Sequence, residues 1–229
     1  MNLFLDLETI PTRNASVSAY LGNHVKMPGT IKKQESIEAW IANERKAAQI
    51  EAVNASSLDG TFGNICVMGW AFDDGAPQCA YSELDEGFLL TEFNSSIERE
   101  LMSQHRRDDA YQVRVVGHNV AGFDLRFLMQ RSIVNGIKPH AALIRAVTAK
   151  PWDAHIVFDT MLQWSGQGGK YKKLEALCLA LGIQTPKEEC NGSLVWQWVQ
   201  DGRIQEVAEY CKRDVVATRE VFKRMVYQA

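Results

Sequence analysis

The sequence lacks most of the features that mark membrane, secreted and zinc-binding proteins. No apolar run approaches the ~18 residues that a membrane-spanning helix needs, and no signal peptide precedes the first predicted strand. The chain has 5 cysteines, an odd number, with no C-x-x-C pair and no cysteine–histidine cluster of zinc spacing. These absences predict a cytoplasmic protein with reduced thiols, without a membrane partner and without zinc.

The sequence also lacks a strong positive charge. The formal net charge is −3 at pH 7, which argues against a large basic surface of the kind that binds nucleic acid. Without the four carboxylates of the candidate site described below, the rest of the chain would be almost neutral. Any phosphate binding must therefore depend on bound cations and a few local basic residues.

Alternating apolar and polar residues predict a mixed sheet with helices on both faces. At 229 residues, with 46% hydrophobic and 23% charged residues, the chain fits one large α/β domain, residues 1–229. Residues 11–60 are predicted to be a helical insertion with an amphipathic helix near 35–53. Strands are predicted at residues 3–8, 64–72, 78–81, 113–116 and before Asp159, and helices at residues 88–104, 123–134, 172–181, 194–199 and 203–226.

Three short motifs carry acidic residues in order along the chain. Asp6 and Glu8 lie in D-x-E-T, Asp124 ends H-N-x-x-x-F-D, and Tyr210 and Asp214 form Y-x-x-x-D. By chance the first motif is expected in roughly 3% of chains of this length, the second in about 0.1%, and the third in more than about a third. The middle motif is therefore the strong signal, and all three in order are a coincidence on the order of 10⁻⁵.

The four carboxylates of these motifs suit divalent metal ions. Asp6 and Glu8 are two apart on a strand and share one face, and Tyr210 and Asp214 are four apart on a helix. Two carboxylates about 4 Å apart repel by about 4 kcal/mol at an effective dielectric near 20, and divalent cations relieve this repulsion. Ligands that are all oxygen suit Mg²⁺ or Mn²⁺. Two such ions can activate a water and stabilise the leaving oxygen of a phosphodiester.

Each motif also has a purely structural explanation. Asp6 and Glu8 could be solvated acids on an exposed strand face, Asp124 could cap the helix that follows it, and Tyr210 could simply hydrogen-bond Asp214. The rarity of the combined pattern favours the metal site over these alternatives.

The combination resembles the DEDD family of 3′–5′ exonucleases, which have a ribonuclease H-like fold. Tyrosine four residues before the last aspartate is similar to the DEDDy branch, because Glu209 occupies the histidine position of the other branch. Residues 6–11, 58–65 and 174–177 resemble stand-alone exonucleases related to the proofreading domain of family-B DNA polymerases. The resemblance runs from Asp6 to Asp214. It implies an α/β ribonuclease H-like mixed sheet and a two-metal-ion exonuclease that releases nucleoside monophosphates from single-stranded nucleic acid, with DNA favoured over RNA.

The resemblance also implies a role for each motif residue. Asp6 would bridge two Mg²⁺ or Mn²⁺ ions, Glu8 and Asp214 would complete the site of the water-activating ion, and Asp124 would bind the second ion. Tyr210 would orient the attacking water, because a phenol with an ordinary pKa near 10 is poorly suited to act as a base.

Substrate contacts are expected from residues beside the motifs. Thr9, Asn119, Phe123 and Lys172 are the candidates: Asn119 would hydrogen-bond the terminal nucleotide, and Phe123 would shape its pocket. Lys172 and its neighbouring lysines could contact phosphates, although a solvated loop explains them equally well. His118 is predicted to be structural.

Single-stranded DNA or RNA 3′ ends are the expected partners, together with replication or repair proteins. A ribonuclease H-like endonuclease and a catalytically inactive nucleic-acid-binding module are the alternatives. The Y-x-x-x-D ending disfavours the first, and the presence of all four acids and the tyrosine disfavours the second. A circular substrate discriminates, because an exonuclease leaves a circle intact.

Overall fold

The residues that the computed structural model describes, 1–104, 112–150, 152–166, 168–185 and 192–228, contain a five-stranded mixed sheet. The strands are β1 (Asn2–Ile10), β2 (Asn64–Phe72), β3 (Gln78–Tyr81), β4 (Arg114–Gly117) and β5 (Val157–Asp159), in the order β3-β2-β1-β4-β5. β4 is parallel to both β1 and β5, whereas β3 is antiparallel to β2. The predicted mixed sheet is therefore confirmed.

The helices of the described residues agree with the sequence patterns except for short or broken segments. The bounds are α1 (Ala15–Asn23), α2 (Gln34–Asn43), α3 (Arg45–Asn54), α4 (Glu86–Ser103), α5 (Asp124–Asn135), α6 (Ala141–Thr148), α7 (Thr160–Ser165), α8 (Leu174–Leu181), α9 (Val195–Gln200) and α10 (Ile204–Met225). The predicted helices that correspond to α4, α5, α8, α9 and α10 begin and end within about two residues of these bounds, which is the usual precision of such boundaries. The patterns do not predict α1, α6 or α7. Among these described helices, none is long and apolar enough to span a membrane.

The predicted insertion is helical, but its helix is broken. Where the pattern predicts one helix near 35–53, the chain forms α2 and α3, separated at Glu44, whose φ is −112°. Asn43, a weak helix former, ends α2. The single amphipathic helix is therefore wrong, although the helical character of the segment is confirmed.

The chain divides into two compact units, Thr9–Asn64 and Met1–Glu8 with Ile65–Ala229. In the first unit the buried Ser56 hydroxyl accepts a hydrogen bond from the Thr12 N–H at 2.9 Å and donates one to the Val53 carbonyl at 2.6 Å. That residues 1–229 form a single domain stays a prediction.

In the larger unit, alternate residues of β1 face two different layers of helices. Leu3, Leu5 and Leu7 belong to a core that includes side chains of α4, α5 and α6. Phe4 points the other way, where its ring lies 5.6 Å from that of Phe222 on α10. This arrangement confirms helices on both faces, and the two-residue period puts Asp6 and Glu8 on the α10 side.

A glycine in β2 lets α10 approach the sheet closely. A Cβ added at Gly69 would lie 2.7 Å from Cys211 Sγ and 3.3 Å from a methyl group of Val215. Because no side chain separates β2 from α10 here, Cys211 reaches the backbone of β1, where its thiol lies 3.4 Å from the Asp6 carbonyl oxygen.

A buried ion pair fixes the start of β2 to α4 and α5. Glu86 accepts hydrogen bonds from Arg131 Nε at 2.9 Å and from Arg131 Nη2 at 2.8 Å, and both side chains are 7% exposed. Glu86 also accepts the Ile65 N–H at 2.7 Å, so one carboxylate connects a strand and two helices of the larger unit.

Candidate active site

Asp6 and Glu8 lie together beneath α10. One oxygen of each carboxylate and Cys211 Sγ lie within 4.8 Å of one another. Glu8 is 8% exposed and Asp6 is partly buried. The alternative that these residues are solvated acids on an exposed strand face is therefore wrong.

Asp124 joins the same region from the start of α5. Its Oδ1 accepts the Leu7 N–H from β1 at 3.0 Å, and the residue is 4% exposed. Phe123, not Asp124, occupies the N-cap position of α5. The aspartate thus does not act as the N-cap, and its carboxylate instead connects α5 to the strand that carries Asp6 and Glu8.

The carboxylates of the three motifs act on one another electrostatically. Burial raises the pKa values of Asp6 and Glu8 well above their usual range and raises the pKa of Asp124 to about 8. The charge of Asp214 raises the pKa of all three further, and that of Asp124 adds to the increase at Asp6 and Glu8. Buried acids that repel in this way are stabilised by protons or by cations, and their oxygen atoms fit Mg²⁺ or Mn²⁺. The donor set therefore fits divalent metal ions.

Tyr210 and Asp214 lie one turn apart on α10, where they are 6% and 9% exposed. The Tyr210 side chain hydrogen-bonds the Asp214 carboxylate, as the structural alternative for this motif requires. Burial, followed by the charges of Asp214 and Glu8, raises the pKa of the phenol above its ordinary value. Tyr210 is therefore a neutral hydrogen-bond donor in any physiological pH range.

A cleft of about 720 Å³ opens onto these residues. Tyr210 and Asp214 line it, and so do Asn119 and Lys172, two of the residues predicted to bind substrate. The structure thus brings together residues from three segments that are far apart in the sequence.

The other two substrate candidates have different surroundings. The Thr9 hydroxyl donates a hydrogen bond to the Ser57 carbonyl at 2.6 Å. Phe123 packs partly buried against the core, with its ring 5.4 Å from that of Phe127. Roles for Thr9 and Phe123 in substrate binding stay predictions.

Comparison with known proteins assigns the chain to a family. Residues 79–229 match the model of a family described as a predicted 3′–5′ exonuclease related to the exonuclease domain of PolB. The chain belongs to this family. It is also 26% identical over 151 residues to an uncharacterized protein of Methanocaldococcus jannaschii, an alignment that covers 62% of this chain and 74% of the relative. The resemblance to exonucleases related to family-B DNA polymerases and the α/β ribonuclease H-like fold are confirmed. The DEDDy branch stays a prediction, and Asp6 and Glu8 lie before the matched residues.

Asp159 organises the loop of the second motif. The sequence patterns did not select this residue for the site of this exonuclease-family protein. Its carboxylate is 2% exposed and accepts the N–H groups of Asn119 at 3.0 Å and Ala121 at 3.1 Å. It also caps α7 by accepting the N–H groups of Met161 and Leu162. This capping position was a readable signal, since aspartate directly before a helix is a favoured N-cap. The loop it holds includes Asn119 at a φ of +63°.

His118 connects the second motif to the segment that carries Lys172. Its Nε2 lies 2.9 Å from the Lys172 carbonyl oxygen, and its Nδ1 lies 2.9 Å from Thr160 Oγ1. Burial lowers the pKa of His118, and Nε2 donates to the Lys172 carbonyl because a carbonyl oxygen can only accept. Both ring nitrogens are thus engaged, as expected of a structural residue and not of a general base.

Cys211 is the second residue that sequence reasoning missed. The periodicity of α10 predicts a core position, and the side chain is indeed fully buried, but its thiol donates to Asp6 Oδ2 at 3.2 Å. Cys66 makes a related contact, with its Sγ 3.4 Å from the Glu8 carbonyl oxygen. Both thiols therefore lie beside the proposed metal ligands. The one feature of the sequence that could have pointed to Cys211 is its position directly after Tyr210.

Proposed function

We propose that this protein is a metal-dependent 3′–5′ exonuclease that releases nucleoside monophosphates from single-stranded nucleic acid, with DNA as the preferred substrate. The observation that carries the proposal is the convergence of Asp6, Glu8, Asp124 and Asp214: after burial, the charges of the other three carboxylates all raise the pKa of Asp6. Membership in a family of predicted 3′–5′ exonucleases supports the direction of cleavage.

The four carboxylates are the proposed metal ligands, and the expected cofactor is a pair of Mg²⁺ or Mn²⁺ ions. Asp6 would serve both ions, Glu8 and Asp214 one of them, and Asp124 the other. Bound divalent ions would supply an activated water and neutralise charge on the leaving oxygen of the phosphodiester. The thiol of Cys211 donates to Asp6 Oδ2 and so restrains the orientation of the carboxylate that both ions would share.

Tyr210 is proposed to orient the attacking water. The raised pKa of the phenol keeps it protonated, so its hydroxyl can hydrogen-bond but cannot take a proton. Its bond to Asp214 keeps the hydroxyl beside a proposed metal ligand. A positioning role of this kind lowers the entropic part of the barrier.

The cleft is the proposed binding site of the 3′ end. Asn119 would hydrogen-bond the terminal nucleotide, and Lys172 would contact a phosphate; both line the cleft with Tyr210. The near-neutral net charge of −3 fits a short, local footprint and not a long duplex. Replication or repair proteins are the proposed partners in the cell.

The test is digestion of single-stranded DNA and RNA of one sequence, labelled at the 5′ end, with Mg²⁺, with Mn²⁺ and with chelator. A 3′–5′ exonuclease produces a ladder that shortens from the 3′ end only when metal is present. The same strand as a closed circle should remain intact. Cleavage of the circle would instead establish the endonuclease alternative, and tight binding without metal-dependent cleavage would establish an inactive binding module.

Two variants make the test specific to the site. Asp6→Asn should abolish cleavage because it removes the carboxylate that both ions would share. Glu209→Gln, on the same helix as Asp214, is the matched control: its side chain is 60% exposed and pairs with Lys212 at 2.5 Å. If Glu209→Gln lost activity as Asp6→Asn does, the assignment of the carboxylates would be wrong.

A further inference from the structure

One wall of the cleft is a loop that the proposed mechanism leaves largely unused. This cleft loop, residues 168–173, precedes α8 and carries three lysines around one tyrosine. Tyr171, Lys172 and Lys173 line the same cleft as Tyr210 and Asp214. An aromatic side chain in the cleft is a candidate to contact bound nucleic acid.

The backbone of the cleft loop is held firmly on both sides of Tyr171. The Ser165 hydroxyl donates to the Lys170 carbonyl at 3.2 Å, and His118 Nε2 donates to the Lys172 carbonyl at 2.9 Å. Gly169 passes so close to α7 that an added Cβ would overlap the Ser165 carbonyl oxygen. Tyr171 therefore lies between two hydrogen-bonded carbonyl groups, which hold its backbone in place beside the cleft.

The side chain of Tyr171 is nevertheless unused within the part of the chain that the structure describes. It is 64% exposed, and no described residue stacks on its ring or hydrogen-bonds its hydroxyl. A single exposed aromatic residue is ordinary on a protein surface. An exposed ring on a hydrogen-bonded backbone in the cleft is different, because a ligand that stacks on it orders only the side chain and not the loop.

The charges near Tyr171 match a nucleic-acid strand. Lys170, Lys172 and Lys173 are exposed, and none of them forms an ion pair with a described residue. The pairing of cationic groups for phosphates with an aromatic face for bases is the usual composition of a site for single strands. Because every base has a π face, such a site tolerates different sequences.

Differences in burial indicate which nucleotide the ring meets. The scissile phosphate must lie against the carboxylates, where Tyr210 and Asp214 are 6% and 9% exposed, whereas Tyr171 is 64% exposed. The ring is therefore far more accessible than Tyr210 and Asp214, which suits a contact with the strand as it continues away from its terminus.

We propose that Tyr171 is a stacking platform for a base on the 5′ side of the terminal nucleotide, with Lys172 and Lys173 holding the adjoining phosphates. The proposal rests on the proposed exonuclease function for its substrate class. It makes Tyr171 a specificity-determining residue, which selects strands of several unpaired nucleotides over single nucleotides. His118 is a positioning residue for this platform, because it holds the carbonyl of the next residue.

Binding tests the platform separately from cleavage. The dissociation constant of a 5′-fluorescein-labelled single strand of about ten nucleotides is measured by anisotropy with chelator present. Stacking contributes about 1–3 kcal/mol per base, so Tyr171→Ala should weaken binding about 5- to 150-fold. Tyr171→Phe should bind like wild type because it keeps the ring. Tyr227→Ala, which removes a tyrosine that is 96% exposed, is the matched control and should have no effect.

An abasic scan locates the contact. Abasic sites introduced one at a time should weaken binding to wild type at one position, or two adjacent positions, upstream of the terminus. In Tyr171→Ala the same abasic substitutions should cause no further loss of affinity. Equal losses in both proteins at every position, or wild-type affinity in Tyr171→Ala, would overturn the platform. A defect in Tyr171→Phe equal to that of the alanine variant would overturn it as well, because the hydroxyl would then carry the contact.

Hydrolysis separates this proposal from the exonuclease function on which it rests. The nitrophenyl ester of thymidine 5′-monophosphate has no upstream base, so Tyr171→Ala should hydrolyse it at the wild-type kcat/KM while its KM for the ten-nucleotide strand rises. Equal losses of kcat/KM on both substrates would overturn the platform. A wild-type protein that binds the strand through Tyr171 but cleaves neither substrate would refute the exonuclease function and leave the platform in place.

Discussion

Replacing Asp124 with asparagine should stabilise the metal-free protein near pH 8 and at the same time reduce its response to divalent ions, because it removes a proposed ligand of one of the two ions. Asparagine keeps an oxygen that can accept the Leu7 N–H, now bonded to Asp124 Oδ1 at 3.0 Å, but it carries no charge. The substitution thus separates the electrostatic cost of the carboxylate from its packing.

The expected size follows from the pKa of Asp124. Burial, which outweighs the hydrogen bonds to the carboxylate, raises this pKa from 3.8 to about 8, so the folded protein retains a proton that the unfolded chain releases. The stabilising contribution of that proton is complete below about pH 4 and is lost as the pH rises through about 8. At about 1.4 kcal/mol per pKa unit, the loss is at most about 6 kcal/mol. Asp6 and Glu8, whose pKa values are also raised, contribute with the same sign.

Divalent ions should oppose this loss in the wild type. An ion at 100 times its dissociation constant adds about 2.7 kcal/mol, and about 1 kcal/mol shifts the Tm of a domain of this size by about 2–4 °C. The wild type should therefore gain about 5–11 °C near pH 8 with saturating Mg²⁺ or Mn²⁺. Near pH 5.5 the gain should be smaller, because protons compete for the same oxygens.

Thermal unfolding followed by circular dichroism, at both pH values and with metal or chelator, measures all of these quantities. Asp124→Asn should unfold at a higher temperature than wild type with chelator near pH 8 and should show a smaller rise in Tm with metal than wild type does. Glu209→Gln should behave like wild type. A lower chelator Tm for Asp124→Asn together with a full metal shift would refute the proposal that Asp124 is a metal ligand in a repulsive cluster.

Three further predictions test other parts of the structure. Tyr210→Phe should retain the wild-type metal-induced rise in Tm, because it loses only the hydroxyl that orients the water. In single-turnover assays at saturating Mn²⁺ it should cleave about 10- to 1000-fold more slowly than wild type. An unchanged rate would make Tyr210 structural. Arg131→Met should lower the free energy of unfolding by about 3–5 kcal/mol in urea titrations, because Glu86 would be left buried without its cation, and Glu86→Gln added to it should recover part of the loss. Asp159→Asn should lower the free energy of unfolding by about 1.5–3 kcal/mol, because the carboxylate holds the Asn119 loop through charged hydrogen bonds. It should also raise KM more than it lowers kcat; an unchanged KM would show that the loop does not contact substrate.

The sequence was most informative where one local pattern decides the structure. The alternation Leu3, Leu5, Leu7 predicts β1, and the bounds of β2 and β3 agree with those read from residues 64–72 and 78–81. The long amphipathic pattern of α10 likewise gives its bounds to within one residue at each end. In β1 and α10 the hydrophobic period is sustained long enough to dominate local preferences.

Short elements and long-range contacts could not be predicted in the same way. The helix α7 has six residues and depends on the cap from Asp159, so little periodicity exists to detect. The contact of the Cys211 thiol with Asp6 joins residues 205 positions apart and depends on the missing side chain at Gly69. Such a contact follows from the distance between α10 and β2, which no local pattern encodes.

The hydrophobic pattern that folds β1 also determines where its carboxylates point. Because the side-chain period of a strand is two, a shift of one residue would turn Leu3, Leu5 and Leu7 toward α10 and would place Asp6 and Glu8 in the apolar core with α4 and α5. Burying two carboxylates there without partners costs far more than the leucine contacts could restore. The register that keeps the leucines in the core is therefore the register that presents both acids to Asp214. This explains how two residues outside the matched family segment, which begins at position 79, are held in the same site as those within it.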